Sequence, residues 1–357
     1  MQAQHAQNRL LSYSTPALLI GLLGVFALLV TLTGDKTLAR MAAETLTRVV
    51  LVVGLWIFVG NSGIISFGHA GYMAIGAYCS AWLTLKPQMK SLFLPDLPPW
   101  LAQAEWPVFP AAIVSGLLAS LIALISGAAI LRLSGIAASI ATFAFLAIVN
   151  TVYSNWEGVT GATSSVVGLA RYVDQWVALG WAAAAILAAN IYANSASGLA
   201  LRATREDEVA ASASGINMYY HRLLSLVISG FFTGVSGALL GHSIGVLNPD
   251  SFYLGITFIS LAMLVVGGIG SLSGAVIGVL ALSIIIECLV RLEHGVAIGP
   301  TSITLPGGAQ EILIGAIMIL VLMLRPAGLM AGNDMKFPIR GGKSNKNNQQ
   351  PTRSPSP

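Results

Sequence analysis

Eight predominantly apolar stretches of the sequence contain no Asp, Glu, Lys or Arg, and most are long enough for one membrane crossing. An ionised side chain at mid-membrane costs at least a few kcal/mol, so charged residues mark the ends of membrane spans. Only 9% of the residues are charged, whereas a soluble domain carries about 25%. An ordinary soluble enzyme and a disordered chain are therefore excluded, and we predict an all-α, polytopic helical membrane protein. The stretches are 10–34, 49–85, 106–131, 133–156, 175–201, 223–249, 251–286 and 312–324.

Two of these stretches, 49–85 and 251–286, are almost twice as long as one crossing, which needs about 20 residues. Each is interrupted by glycines, at residues 60–63 and at residues 267–270. We predict that each stretch holds two spans joined at a tight break, which gives about ten spans in all. The predicted spans are 16–33, 46–60, 64–85, 108–131, 134–153, 176–194, 223–241, 255–268, 272–290 and 310–324.

The distribution of basic residues predicts the orientation of the chain. The segment after Arg325 carries five Lys and Arg residues against one acid, and the loop 195–222 carries three arginines. Basic loops stay on the cytoplasmic side, so the loop 195–222 and the segment after Arg325 should lie on the same side. An even number of crossings must then separate them, which requires that 251–286 contains two spans. We therefore expect cytoplasmic termini, a transmembrane permease domain over residues 1–332, and a disordered cytoplasmic tail over residues 333–357, whose polar composition has nothing to bury.

The sequence offers no catalytic site. The five histidines do not fall in a metal-ligand pattern with cysteines or carboxylates, so we expect neither a metal nor another cofactor. Gly342-Lys343-Ser344 resembles the end of a phosphate loop, but that motif needs a glycine where Phe337 stands. The net charge of +4 is scattered, which does not fit nucleic-acid binding. A transporter without catalytic motifs takes its energy from an ion gradient or from a separate ATPase.

Ion-coupled carriers usually keep ionisable groups inside the membrane to bind the coupling ion. The candidates here are Glu287 and Glu311. Each stands near the end of a predicted span, and a structural position at the interface is the favoured reading of both.

The densest polar feature is the segment 202–208, with five charges in seven residues. Residues 200–214 have high helix propensity and Gly215 supplies a natural stop, so we predict one short cytoplasmic helix, charged on one face and alanine-rich on the other. Such a helix suits docking into a groove on a partner, and a solvated loop is the alternative. The candidate docking residues are Arg202, Arg205, Glu206, Asp207, Glu208, Ala211 and Gly215.

Four stretches of the chain resemble, in the same order, the inner-membrane permease subunits of branched-chain amino-acid ABC importers, the LivM-like branch above all. They are residues 60–70, 198–217, 266–274 and 325–329, which together extend over about three quarters of the chain. In that family the second stretch resembles the coupling helix that seats on the ATPase. Glu208, Ala211 and Gly215 match its Glu-Ala-Ala-Gly pattern, from which the inserted Val209 departs.

The resemblance implies a non-catalytic, multi-pass subunit of a bacterial-type inner membrane, surrounded by lipid. It would form a translocation path with a second, similar permease subunit and be driven by two cytoplasmic ATP-binding subunits. An extracytoplasmic solute-binding protein would deliver a branched-chain or similar amino acid. Urea or a short amide is the alternative cargo within the same family, and a self-sufficient ion-coupled carrier or channel is the alternative of a different class.

The two glycine breaks are candidates for the translocation path, because broken helices in corresponding places of two halves expose backbone groups that need a polar partner or cavity. Close helix packing through small residues is the alternative. Both readings stay open at the first break, and packing is favoured at the second. The candidate path residues are Asn61, Ser62, Ser66, His69, Tyr72, Gly267 and Gly270. Helical spacing predicts that Ser66 and His69 lie near one face.

Overall fold

The protein is described by a computed structural model that covers residues 2–293, 296–298, 301–303, 308–325, 327–330 and 334. It is almost entirely helical. The helices are α1 (Gln2–Thr33), α2 (Lys36–Ser62), α3 (His69–Thr84), α4 (Pro87–Phe93), α5 (Pro99–Ala102), α6 (Val108–Ile130), α7 (Gly135–Asn155), α8 (Glu157–Thr160), α9 (Gln175–Ala193), α10 (Ala196–Glu206), α11 (Glu208–Ala213), α12 (Met218–Ile244), α13 (Leu254–Gly267), α14 (Leu272–Glu293) and α15 (Ala309–Leu324).

Four very short strands complete the described elements. β1 (Val166–Val167) pairs antiparallel with β2 (Val246–Leu247), and β3 (Val296–Ile298) pairs with β4 (Thr301–Ile303). A single 3-10 turn, Pro249–Phe252, precedes α13. These strands join loops and form no layer of their own, so the architecture is a helical bundle.

The prediction of a polytopic helical membrane protein is confirmed. Within the described residues, eight helices are long and apolar enough to span a membrane. The 16-residue α3 and the C-terminal α15 are shorter apolar helices at the positions predicted for spans three and ten. About ten spans therefore agree with the structure.

The helices of the second and third predicted spans start at other residues than those spans, and each difference has a local cause. The second span begins ten residues early, at Lys36, because the Asp35 side chain accepts a hydrogen bond from Thr37 N at 2.8 Å and caps the helix there. The third span begins late, at His69. The left-handed backbone of Gly63, with φ +74°, ends α2, and the chain does not become helical again before His69. The first break is thus a six-residue non-helical segment rather than a tight turn.

The centre of the bundle is formed by α2, α3 and α12, whose residues are mostly buried. Close contact between α3 and α12 depends on glycine, since a Cβ on Gly76 would overlap Gly234 O and a Cβ on Gly237 would overlap Met73 O. Backbones that approach this closely gain van der Waals contact, which is the main attraction between helices in lipid.

Three serines on α12 connect it to α2 over about three helical turns. Ser225 donates to Ile57 O at 2.8 Å, Ser229 to Gly54 O at 2.6 Å, and Ser236 to Thr47 O at 3.1 Å. All three hydroxyls are buried, so these bonds also satisfy groups that would otherwise lie unpaired inside the protein. The two helices are therefore joined by direction-specific bonds and not by packing alone.

Four segments that are distant in sequence meet at one end of the bundle, which we call the basic end. They are residues 62–68, 194–217, 267–271 and 325–330. Of the predicted tail 333–357, only Asp334 lies within the described residues, and its carboxylate accepts a hydrogen bond from Ser273 N at 3.2 Å. The cytoplasmic location of this end stays a prediction.

Candidate functional site

The charged segment at the basic end forms two short helices, and the prediction of one helix over 200–214 is wrong. The α10 helix ends at Glu206, and Asp207 takes an extended conformation with φ −153°. Its carboxylate accepts hydrogen bonds from Val209 N at 2.8 Å and Ala210 N at 2.9 Å, which starts α11. An aspartate that can cap a new helix competes with continuing the old one.

The stop at Gly215 is confirmed. This residue lies beyond α11 with φ +81°, and its N–H donates to Ser212 O at 2.9 Å. The left-handed conformation reverses the chain and satisfies carbonyl groups at the helix end. Asn217 then accepts a hydrogen bond from Tyr220 N and starts α12.

The α10 helix is bonded to the end of α2 by Arg205. The guanidinium of Arg205 donates to Gly60 O at 2.8 Å. The last carbonyl groups of an α-helix lack intrahelical donors and attract cations. A Cβ on Gly63 would lie 2.9 Å from Arg205 Cγ, so glycine provides both the left-handed turn and the space for the arginine.

The α11 helix is bonded to α12 by the ion pair between Glu208 and Arg222. Arg222 is 4% exposed and Glu208 is 45% exposed, so a buried cation is neutralised by a carboxylate at the surface. Arg202 secures the start of the segment by donating to Ala193 O at the end of α9. The charged segment therefore contacts three membrane-spanning helices, α2, α9 and α12.

The predicted docking residues differ in how far they are exposed. Arg205, Glu206, Asp207 and Glu208 are exposed, as is Gly215. Arg202 is partly buried, and Ala211 is buried at 5% exposure, so it packs on its own chain. Val209, which interrupts the family pattern, is 80% exposed and presents an apolar side chain outward from α11.

The first break brings His69 and Ser66 together, as their spacing predicted. Ser66 Oγ lies 2.9 Å from His69 Nδ1, and His69 Nε2 lies 2.7 Å from Ser229 Oγ. Because the Ser229 hydroxyl donates its proton to Gly54 O, His69 Nε2 must carry the proton in that contact. A directed chain of hydrogen bonds therefore runs from the break through His69 to α12 and α2.

The other predicted path residues of the first break are also buried. Tyr72 bonds to Ser126 at 2.9 Å, and Ser62 accepts from Ile64 N at 3.2 Å. Asn61 donates to Ile57 O at 2.9 Å, but its Oδ1 is buried with no hydrogen-bond partner among the described residues. That oxygen is the polar atom of this break that remains available to another group.

At the second break the structure agrees with the packing reading. A Cβ on Gly267 would overlap Gly274 O, and Gly268 has φ +116°. The segment after α15 closes over the break, where Leu329 N donates to Val266 O at 2.8 Å and Met330 N to Gly267 O at 3.1 Å. These bonds satisfy the carbonyl groups at the end of α13.

Gly270 is the exposed member of the second break, and the adjacent Ile269 links the two breaks. The indole N–H of Trp56 donates to Ile269 O at 3.0 Å. A Cβ on Gly60 would lie 2.5 Å from Trp56 Nε1, so Gly60 leaves room for the indole ring one turn earlier on α2. Gly60 accordingly contacts both the charged segment and the residue that reaches the second break.

Three residues that act in this site were not among the sequence candidates: Trp56, Arg222 and Ser229. The spacing of four residues between Trp56 and Gly60 places them on one helix face, which is a readable signal. Arg222 stands 14 residues from Glu208, and Ser229 stands 160 residues from His69. No local pattern pairs residues so far apart.

Comparison with known proteins decides the family. The sequence model of the family described as "Branched-chain amino acid transport system / permease component" matches residues 37–322. The chain belongs to this permease family. The permease is therefore a multi-pass membrane protein and a transport component rather than an enzyme. Family membership implies association with ATP-binding proteins, a solute-binding protein and a second permease.

Several characterised permeases are similar to the chain. The high-affinity branched-chain amino acid transport system permease protein LivM of Escherichia coli K12 is 24% identical over 85% of this chain and 72% of its own. LivH of the same strain is 36% identical over 41% of this chain and 44% of its own. The guanosine ABC transporter permease protein NupQ of Bacillus subtilis 168 is 31% identical over 61% of this chain and 72% of its own. No solved structure matches the chain.

Proposed function

We propose that this permease imports branched-chain or similar apolar amino acids across a bacterial-type inner membrane. It would pair with one homologous permease, be driven by two cytoplasmic ATP-binding subunits, and receive its cargo from an extracytoplasmic binding protein. The cargo follows from the similarity to LivM and LivH. The basic end would face the cytoplasm, as the excess of arginine there favours.

The observation that carries the coupling proposal is the attachment of one exposed segment to the central helices. Arg205 bonds to the end of α2 and Glu208 bonds to the start of α12. An ATP-binding subunit that moves α10 and α11 would therefore move both helices, and the directed bonds between α2 and α12 would carry the displacement along the bundle. We assign Arg202, Arg205, Glu206, Asp207, Glu208, Ala211 and Gly215 to this coupling segment.

Within the coupling segment the structure supports two different roles. Glu206, Asp207 and Val209 are exposed and offer two charges and one apolar side chain to a partner surface. Arg202, Arg205 and Ala211 bond to or pack on the permease itself. Contact with the ATPase and transmission into the membrane thus belong to different residues of the same segment.

For the translocation path, we propose that the first break is its inner end. Asn61, Ser62, Ser66, His69 and Tyr72 line the break or the helix that leaves it, and the free Asn61 Oδ1 is an acceptor for a passing ammonium group. Gly267 and Gly270 contribute close backbone packing at the second break, with Ile269 joined to Trp56.

An ion-coupled carrier receives less support. Glu287 is paired with Arg291 at 2.7 Å and is partly exposed near the end of α14, which fits an interfacial ion pair. The side chain of Glu311 lies outside the described residues.

Reconstitution tests the function. Proteoliposomes that contain both permeases, the ATP-binding subunits and the binding protein should accumulate leucine only when ATP is present. Omission of the ATP-binding subunits is the control. Leucine uptake by this chain without them would refute ATP-driven import. Uptake of guanosine or urea without leucine would instead retain the transporter class and refute the cargo.

A further inference from the structure

Two loops are clamped together at the end of the bundle opposite the basic end. The loop 161–174 and the loop 245–252 are joined by the β1–β2 pair, in which Val166 faces Leu247. His242 on α12 also holds the loop 161–174. Its Nδ1 lies 3.0 Å from Ala170 O, and its Nε2 lies 2.9 Å from Ser80 Oγ on α3. The backbone of both loops is therefore held in place before any ligand arrives.

A cavity of about 520 Å³ lies between these loops and the end of α12. Small-molecule sites commonly have volumes of about 300–1,000 Å³, with apolar walls and a few polar groups. Leu240, Ile244 and Phe252 supply the apolar wall, and Asn248 and Asp250 are among its polar residues. The cavity thus combines an apolar surface with a carboxylate.

A carboxylate lines this cavity and a guanidinium lies beside its wall, and neither has a partner among the described residues. Asp250 begins the 3-10 turn, where its N–H donates to Asn248 Oδ1 at 2.9 Å, but its exposed carboxylate has no hydrogen bond or ion pair there. Arg171 does not line the cavity itself but lies against Gly245, which stands between the lining residues Ile244 and Val246; a Cβ there would be 3.0 Å from Arg171 Nε. Arg171 forms no ion pair among the described residues.

We propose that this outer cavity is a binding site for the zwitterionic form of an apolar amino acid, an inference that rests on the proposed import function. Asp250 accepts hydrogen bonds from the α-ammonium group, Arg171 pairs with the α-carboxylate, and the apolar wall formed by Leu240, Ile244 and Phe252 contacts the side chain. A neutral amide or a nucleoside leaves both charges without a counterpart. The cavity therefore favours amino acids over such cargo, because only an amino acid carries a charge that matches Asp250 and another that matches Arg171.

The test measures direct binding to the complete transporter in lipid nanodiscs, without the solute-binding protein, by saturation-transfer NMR. Three probes separate the charges: leucine, leucinamide, which lacks the carboxylate, and 4-methylpentanoate, which lacks the ammonium group. Wild-type transporter should bind leucine roughly tenfold more tightly than either analogue, equivalent to about 1.4 kcal/mol. Equal affinity for all three probes, or no leucine binding, would overturn the site without any variant.

Charge-neutral variants assign the two contacts. Asp250→Asn should weaken leucine and leucinamide about tenfold and leave 4-methylpentanoate unchanged, whereas Arg171→Gln should weaken leucine and 4-methylpentanoate and spare leucinamide. Glu157→Gln and Lys86→Gln are matched controls, because both residues are exposed at the same end, at the start of α8 and just before α4, and do not line the cavity. The controls should bind all probes normally.

Other outcomes separate the site from the proposed function, because each refutes one of them and not the other. If Asp250→Asn and Arg171→Gln bind all three probes normally but lose uptake from the binding protein, the two residues dock that protein and the cavity is not the site. A uniform loss across the three probes would mean a structural role and would also overturn the inference. A wild-type transporter that binds leucine but does not import it with ATP would refute the proposed function and not the site.

Discussion

The ion pair between α11 and α12 makes the sharpest prediction about coupling. Glu208→Ala removes the partner of the Arg222 guanidinium, which is 4% exposed and whose Nε already lacks a hydrogen bond in the described structure. Breaking a fully buried pair costs about 3–5 kcal/mol, and an exposed pair contributes about 0–1 kcal/mol. Glu208 is 45% exposed, so water partly replaces it and we expect a loss of about 1–3 kcal/mol.

A double-mutant cycle isolates this pair from other effects of the substitution. Glu208 also stands in the first turn of α11, where a carboxylate interacts favourably with the helix dipole by about 0.3–1 kcal/mol. Arg222→Gln and the double variant subtract that contribution, since only the pairwise part is non-additive. The double variant should lose less stability than the sum of the single variants, because it leaves no uncompensated buried cation.

The assay is thermal unfolding of the purified permease, read beside ATP hydrolysis by the reconstituted transporter. Glu208→Ala should lower the apparent melting temperature by several degrees and reduce the cargo imported for each ATP hydrolysed. Glu206→Ala is the matched control for the melting temperature alone, because Glu206 is exposed two residues away and forms no ion pair in the described structure, but it belongs to the proposed ATPase contact. If Glu208→Ala behaves like the control, or if the two losses are additive, then α11 does not act on α12 through this pair.

Three further variants test the rest of the site and the core. Gly215→Pro replaces a φ of +81° by about −65°, so it should abolish cargo-stimulated ATP hydrolysis while the chain still inserts; normal coupling would reduce the segment to a connector. Gly237→Ala places a Cβ on Met73 O and should destabilise the bundle by about 1–3 kcal/mol in thermal unfolding, whereas Gly180→Ala meets no atom within 4 Å and should be neutral. Trp56→Phe loses the bond to the second break and should cost about 0.5–1.5 kcal/mol; an unchanged melting temperature would show that this bond contributes nothing.

Span positions were predictable where charge marks both ends of an apolar stretch. The predicted spans 108–131, 176–194 and 272–290 agree closely with α6, α9 and α14. Prediction was wrong where a side chain or a turn decides the boundary. Asp35 caps α2 inside a charged region, and Asp207 divides a segment whose alanines favour a continuous helix. Capping depends on the local backbone conformation, which propensity averages do not describe.

The sequence predicted which residues belong to the candidate site, but it predicted only some of the contacts among them. The spacing of Ser66 and His69 placed them on one face, and the structure confirms their hydrogen bond at 2.9 Å. The glycines of the second break were read as packing, and Gly267 has no room for a Cβ. The contact of Arg205 with Gly60 was not predicted, because 145 residues separate them and both belong to motifs that were read independently.

The sequence alone determined that the chain is a polytopic helical membrane protein with about ten apolar segments. Partitioning of a segment into lipid depends on the hydropathy of that segment, so it can be read locally. Only the tertiary structure decided that the charged segment, the two glycine breaks and the residues after α15 meet at one end. Those contacts arise from the way distant helices pack. The partners of Gly60 O and of Arg222 are residues that only the folded bundle brings close, so neither segment alone determines them.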